Sequence, residues 1–328
     1  MKIIVKTLHG LEPALAKELE ELDAKEVQPI NRAVACEGSK ELLYKANLQL
    51  RTALRVLQPI HHFNAKNEKE LYQNIFDFDW SLYLRLNQTF AIDSTVNSTY
   101  FTHSKFAALK TKDAIADQFR KKTGMRPSVD TDYPDIRINV HITNMDFTVA
   151  LDSSGESLHK RGYRQPGYIA PLNEVMAAGM LLLMGWHKDI PLIDPMCGSG
   201  TVLLEAAMMA GCIPPGFNRK QYGFMKWNDY DKDLWKRIKD EVLEGIQSPA
   251  VSLFGADISQ NAIDLTKGAS IKMGVVNQLN LRNSAFADYM PQTNTGMLVM
   301  NPPYGERMSQ ENICSFYKMI GDHLKKNF

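Results

Sequence analysis

Along the first half of the chain, apolar and polar positions switch repeatedly between a two-residue and a helical period. Residues 2–8 predict a strand, and Leu11, Leu15, Leu19 and Leu22 then recur at helical spacing, with Gly10 and Glu12 at the start. Residues 27–36 and 53–60 predict two further strands. The helix between them, 39–50, has Ser39 as N-cap and Leu42, Leu43 and Ala46 on its inner face. Aromatic-rich helical material follows over 68–86, then a strand over 89–96. A long helix over 103–122 is ended by Gly124 and Pro127. Ile136, Ile138, Val140 and Ile142 alternate, as do Phe147 and Val149, so 136–150 predicts a hairpin that turns at Thr143-Asn144-Met145-Asp146.

From Tyr168 the texture changes. A buried helix over 172–186 leads into a short apolar strand, 191–194, then a Gly-rich turn and a helix over 201–210. Further strands are predicted over 251–257, 280–288 and 297–300, each ending in a polar or turn residue. Strands separated by helices argue for an α/β, doubly wound parallel sheet, whose ligand crevice lies at the carboxyl ends of the strands.

Composition narrows the class without naming it. The chain has 328 residues, 44% hydrophobic and 23% charged, which are ordinary globular values. Its formal net charge of +1 excludes a uniformly basic coat, but not a local basic face. No cysteine lies within four residues of another, so no zinc knuckle is visible and no metal is expected. The longest uncharged apolar run, 175–186, is too short to span a bilayer. The N-terminus has no sustained apolar stretch, so secretion, an anchor and a membrane span are not expected, and the thiols fit a reducing cytoplasm.

Four strand ends carry the chemistry. The first is Asp194-Pro195-Met196-Cys197-Gly198-Ser199-Gly200-Thr201, an acid, a tight turn and a helix start. Its glycines let the backbone approach a ligand, and no Gly-Lys-Ser/Thr follows to make it a P-loop. A purely structural turn is the alternative. The second is Gly255-Ala256-Asp257, an acid placed to accept both hydroxyls of a ribose, with helix capping as the plainer reading. The third is Phe286-Ala287-Asp288, weak on its own. The fourth is Asn301-Pro302-Pro303-Tyr304 after an apolar strand. The two prolines remove two N–H donors, so the Asn301 side-chain oxygen and the Pro302 carbonyl can accept from one planar NH₂ group. Tyr304 can stack on a flat base.

This order of motifs resembles the class I S-adenosylmethionine-dependent methyltransferases that modify exocyclic amino groups, with a Rossmann-like sheet. The resemblance implies cofactor contacts from Asp194, Met196, Cys197, Gly198, Ser199, Gly200, Thr201, Asp257, Ile258 and Asp288. It assigns the target amine and base to Asn301, Pro302, Pro303 and Tyr304. Two further features narrow it: 63 positions separate Asp194 from Asp257, and Arg161-Gly162-Tyr163-Arg164 stands upstream. Together they resemble the bacterial 23S rRNA guanine-N2 methyltransferases of the RlmL/YpsC family. That family implies a ferredoxin-like module (1–60), a THUMP RNA-binding domain (61–157) and a methyltransferase domain (158–328, after a linker over about 158–170).

A basic stretch points to RNA independently. Lys105, Lys110, Lys112, Arg120, Lys121, Lys122 and Arg126 face only Asp113 and Asp117 between residues 100 and 126. Such clusters neutralise phosphates without reading sequence, although a merely solvated helix face is the alternative. Lys160, Arg161 and Arg164 offer a second basic site. The expected substrate is rRNA first and tRNA second, with N6 of adenine, protein glutamine methylation and a non-enzymatic RNA-binding module as rivals. The oligomeric state is left open. Only 24 residues follow Tyr304, so the C-terminal strands of a seven-stranded methyltransferase sheet are expected to be missing from this chain.

Overall fold

In the computed structural model, residues 1–164, 171–248, 250–303 and 310–328 are described. The chain divides into two compact units: 1–158 with Arg219–Lys239, and His159–Asn218 with Asp240–Phe328.

The first unit holds β1 (Lys2–Lys6), α1 (Glu12–Glu21), β2 (Lys25–Ile30), β3 (Ala33–Glu37), α2 (Lys40–Gln49), β4 (Arg55–Asn64) and α3 (Glu68–Asp77). β5 (Thr89–Asn97), α4 (Ser104–Thr123), β6 (Ser128–Val129), β7 (Ile136–Thr143) and β8 (Asp146–Asp152) complete it. All eight strands form one mixed sheet in the order β2-β3-β1-β4-β8-β7-β5-β6. The boundary expected at residue 60 therefore falls inside β4, whose antiparallel pairing with β8 runs from Leu57–Asp152 to Asn64–Asp146.

Several elements follow from their local sequence. Ser39 caps α2 by accepting from Leu42 N–H. Gly124 ends α4 in the left-handed region at φ 76°, which an L side chain resists. Asn144, at φ 55°, makes the predicted turn between β7 and β8. Residues 27–36, expected as one strand, are instead a hairpin, β2 paired antiparallel with β3. The chain reverses at Arg32, which adopts φ 57°. Its N–H donates to the Glu12 carboxylate (2.9 Å), and its carbonyl accepts from Thr7 N–H (2.9 Å). The helix expected over 68–86 stops at Asp77, and Trp80–Leu82 make one tight 3₁₀ turn, with the Trp80 indole N–H donating to Ile75 O.

The segment Arg219–Lys239 clusters with the first unit although it lies among the methyltransferase motifs in sequence. The Arg219 guanidinium donates to three carbonyls, of Ser154 (2.9 Å), Glu156 (2.6 Å) and Ser157 (3.1 Å). Tyr222, Phe224 and Trp235 pack with Tyr44: Tyr44 stacks on Phe224 at 4.2 Å, and Trp235 stands edge-on to all three. Such aromatic packing adds about 0.5–1.5 kcal/mol per pair beyond area burial.

The second unit opens with α5 (Glu174–Leu183), β9 (Leu192–Asp194) and α6 (Thr201–Ala210). Helix α7 (Lys232–Glu244) begins in the first unit and ends in the second. β10 (Leu253–Asp257), α8 (Gln260–Lys272), β11 (Leu279–Asn283), β12 (Met297–Leu298) and α9 (Gln310–Asn327) follow. The described strands form a parallel sheet in the order β11-β10-β9-β12. β9, β10 and β11 step outward in one direction, and β12 returns to the other side of β9. The strand order therefore reverses between β9 and β12, which is where ligands bind in doubly wound sheets. Residues 280–288, expected as one strand, end at Asn283, and Phe286–Asp288 form a 3₁₀ turn. The Asn283 side chain and Ser284 N–H both donate to Asp257 O, which turns the chain out of the sheet.

Trp235→Ala is expected to destabilise the first unit by about 3–5 kcal/mol, the usual cost of emptying an aromatic core site. Trypsin cleavage at Lys220 and Lys226 should rise with it. Urea unfolding checks this, and an unchanged midpoint would show that the returning segment adds nothing to that core.

Candidate functional site

The register of the parallel sheet gathers the predicted residues at one edge. Gly255 pairs with Asp194, and Asp257 with Asn283, so Asp257 lies two residues beyond the level of Asp194. Leu298 pairs with Ile193, and Val299 N–H donates to Ile193 O (2.9 Å), so Asn301 emerges beyond the same edge on the far side of the reversal. Asp194 and Asp257 thus end neighbouring strands, and Asn301 follows three residues after β12 on the other side of β9. Asn301 is exposed and Pro302 and Pro303 are half-buried. Tyr304, expected as the stacking residue, lies outside the described residues.

The turn after β9 is held from both sides. Cys197 N–H donates to Ala256 O (2.8 Å), Gly198 N–H donates to Asp257 Oδ2 (2.8 Å), and Gly200 N–H to Cys197 O (2.9 Å). Asp257 Oδ1 accepts from Ser259 N–H (2.9 Å), so one carboxylate ends β10, holds the N-cap residue of α8 and anchors the turn. The cap of α8 is Ser259, which accepts from Ala262 N–H, and Asp257 keeps spare acceptor capacity: two acceptor positions serve backbone, and a carboxylate has about four. Gly200 lies at φ 73°, and a Cβ there would meet Thr266 Cγ2 at 2.2 Å. A Cβ on Gly255 would meet Leu203 Cδ1 at 2.4 Å, so that glycine lets α6 lie close on β10.

Burial separates the two acids. Asp194 is 2% exposed, and burial, with the charge of Asp257 adding to it, pushes its carboxyl up to about 7. Met196 N–H donating to Asp194 Oδ1 (3.3 Å) opposes that rise. Burial, with the charges of Asp194 and Asp257 adding to it, pushes the buried Cys197 thiol well up too. Ser199 and Thr201 complete the turn, and Thr201 is buried at the first position of α6. Ile258 is 77% exposed beside Asp257, and Asp288 is exposed in the turn after β11.

Sequence reasoning missed three residues. Thr266 Oγ1 donates to Gly198 O (3.1 Å) and Ala262 O (2.9 Å), bracing the turn from α8. Asn283 and Ser284 hold the strand end of β10. A buried Thr two turns into the helix after Asp257 was the available signal for the first.

The basic residues divide. Lys105, Arg120, Lys121, Lys122, Arg126 and Lys160 are exposed, and Lys110 and Lys112 are half-buried. Four of the α4 cations meet carboxylates: Lys110–Glu68 (4.0 Å), Lys112–Asp113 (2.8 Å), Arg120–Asp117 (3.0 Å) and Lys122–Asp79 (2.7 Å). Arg161, expected to face RNA, is instead 2% exposed and packs against the fully buried Glu205 of α6 (3.5 Å). Tyr163 OH donates to the same carboxylate (3.0 Å). A buried cation needs such a partner, and the sequence next to Lys160 conceals this. Arg164 donates to Leu172 O (2.7 Å) and pairs with Glu174 (3.0 Å). Among the described residues, no helix is long and apolar enough to cross a membrane.

Three family descriptions match the chain in order. Residues 2–57 match the RlmL ferredoxin-like domain, 65–152 the THUMP domain, and 161–328 the RMKL-like methyltransferase domain. A putative RNA methyltransferase of Synechocystis sp. is 40% identical over 324 residues, 97% of this chain and 84% of that protein. A ribosomal RNA large subunit methyltransferase K/L of Desulfotalea psychrophila is 39% identical over 97% of this chain. The chain spans only 46% of that relative's length. Among solved structures, a putative methyltransferase complexed with SAH superposes with a TM-score of 0.88 at 29% identity, over 99% of this chain and 86% of the other. The chain belongs to the RMKL-like methyltransferase family, with an RlmL ferredoxin-like domain and a THUMP domain preceding the catalytic one.

Proposed function

We propose that the chain methylates the exocyclic N2 amine of a guanosine in 23S rRNA, with S-adenosylmethionine as the methyl donor. The observation that carries this reading is the end of β12. Asn301-Pro302-Pro303 leaves the sheet across the strand reversal from Asp194, with the glycine turn and Asp257 alongside. The name of the Desulfotalea psychrophila relative supports an rRNA substrate, and the SAH complex of the structural neighbour supports the cofactor.

The residues present fit that cofactor. The turn is a cradle with a left-handed glycine at its floor, and Asp257 keeps acceptor positions for two ribose hydroxyls. Ile258 offers an exposed apolar face beside it for the adenine, and Asp288 a carboxylate for the adenine amine. Held there, the cofactor supplies an electrophilic methyl group. The Asn301 side-chain oxygen and the Pro302 carbonyl accept the two amine hydrogens and leave the nitrogen lone pair free and aimed. Tyr304 is assigned the face of the base. Orientation supplies most of the acceleration, and the amine proton is lost to solvent after transfer, so no strong base is needed. The cations of α4 hold phosphates and position the RNA.

Incubation with S-adenosylmethionine and unmodified rRNA or tRNA, followed by nucleoside mass spectrometry, tests this directly. N2-methylguanosine in rRNA alone is expected. The same product in tRNA alone moves the substrate, and N6-methyladenosine overturns the choice of base.

Asn301→Ala should lower kcat by about 10²–10³, the usual loss on removing one group that acts in the transition state. Its affinity for S-adenosylhomocysteine should stay within a factor of about three. Asp257→Ala should instead weaken S-adenosylhomocysteine by at least about ten- to a hundredfold, the worth of one or two hydrogen bonds to a charged group, because it also releases the Gly198 turn. Isothermal titration of both variants separates the roles, and a collapse of cofactor affinity in Asn301→Ala contradicts them.

Asp194 also sets a pH dependence. Its folded pKa, about 7, lies above the unfolded value, so the folded state binds the extra proton between about pH 4 and pH 7. Stability therefore falls across that window as pH rises, by up to about 4 kcal/mol at about 1.4 kcal/mol per unit. Asp194→Asn should remove the fall, raising Tm at pH 8 and leaving it nearly unchanged at pH 4. Equal shifts at the two pH values would remove Asp194 from this role.

A further inference from the structure

We propose that a cavity at the first turns of α3 and α4 is a stacking pocket for an unpaired nucleotide of an RNA strand. The inference rests on the RNA reading of the proposed function and names the place on the first unit where a single strand is gripped. The cavity measures about 860 Å³, within the roughly 300–1,000 Å³ usual for ligand clefts. Tyr72, Tyr100 and Phe106 line it together with Lys66, Lys69 and Lys110.

The rings are available. Tyr100 is 55% exposed and Phe106 is 37% exposed, large apolar surfaces left open beside one another. The Lys110 ammonium lies 5.9 Å from the ring centroids of both Tyr72 and Phe106, so the two faces already attract a cation. The walls are also braced. Tyr72 OH donates to Asp117 (2.8 Å). Ser98 Oγ accepts from Tyr100 N–H (3.0 Å) and Phe101 N–H (3.2 Å) and donates to Asn144 O (2.5 Å), which fixes the loop that carries Tyr100. Phe101, 5% exposed, plugs the same loop into the core by standing edge-on to Phe147.

The chemistry selects the ligand. Three ammonium groups face one lining carboxylate, Glu68. A purely apolar partner would gain nothing from the lysines, and a bare phosphate would gain nothing from the rings. A nucleotide has a flat face and a charged phosphate within one ring width of each other. Every base has such a face, so the grip should be tolerant of sequence. A duplex keeps its bases stacked inside and cannot present one.

The test uses the full chain, a fluorescein-labelled single-stranded RNA octamer and its duplex, read by fluorescence anisotropy. Phe106→Ala and Tyr100→Ala are each expected to weaken the single strand by about tenfold, the order lost with one stacked ring. The duplex should change far less. Phe106→Trp should restore binding, which a merely structural role for Phe106 would not predict. Lys69→Gln should lower the salt slope of single-strand binding by about 0.7, one phosphate contact. An octamer carrying 5-bromouridine should photocross-link to the peptide that holds Tyr100 and Phe106.

If the wild type binds the single strand and both alanine variants bind it equally well, the pocket is overturned and the RNA reading stands. If the wild type binds neither RNA, both readings fall. An oligoglutamate peptide of equal charge that displaces the RNA at the same concentration would assign the surface to an acidic protein and overturn the proposal. Unchanged melting temperatures in the variants exclude misfolding as the cause of any loss.

Discussion

The catalytic half of the molecule depends on one hydrogen bond, from Gly198 N–H to the Asp257 carboxylate at 2.8 Å. It ties the turn after β9 to the end of β10, and the second oxygen of the same carboxylate takes Ser259 N–H at the start of α8. A charge-assisted bond of this kind is roughly twice as strong as a neutral one and fixes direction as well as distance. With the turn held, Gly198 O meets Thr266, Gly200 has its close neighbour in α8, and α6 leaves in a fixed direction. Leu203 of that helix then fills the space that Gly255 leaves above β10. The cradle, two helices and two strands share a single constraint.

The neighbouring acid shows how environment divides labour between like groups. Asp194 and Asp257 end adjacent strands, yet Asp194 is sealed in and Asp257 is not. Burial raises the first, and the charge on the second raises it further. Two ionised carboxylates side by side at the floor of the turn would repel each other. A proton on Asp194 removes that repulsion, so burial and the neighbouring charge push its carboxyl in the same direction.

What the sequence made legible was mostly local. The helix over 201–210 is observed with those bounds, and Ser39 caps α2, because period and capping chemistry are set within a few residues. The order of strand-end motifs was equally readable, since each motif sits where a strand must stop. Non-local facts were hidden. Nothing beside Arg161 shows that Glu205, 44 positions later, will bury it. The reversal at Arg32 uses a non-glycine residue at positive φ, held by Glu12 from another element. Likewise Tyr222, Phe224 and Trp235 look like part of an insert, and only their packing with Tyr44, far back in the chain, returns them to the first unit.

The basic helix α4 shows the same limit in its electrostatics. Counting charges from 100 to 126 gives seven cations and two acids, but Glu68 and Asp79 from other elements reach Lys110 and Lys122. Exposed pairs of this kind are worth only about 0–1 kcal/mol, so a polyanion can displace the carboxylates at little cost. The face thus keeps its attraction for phosphate while being partly neutralised when free. Such contacts position a nucleic acid and carry no sequence information. On the RNA reading, discrimination between one base and another cannot come from α4. It has to come from groups that meet the base edge, and the acceptors at the end of β12, Asn301 and Pro302, are chemically able to do so.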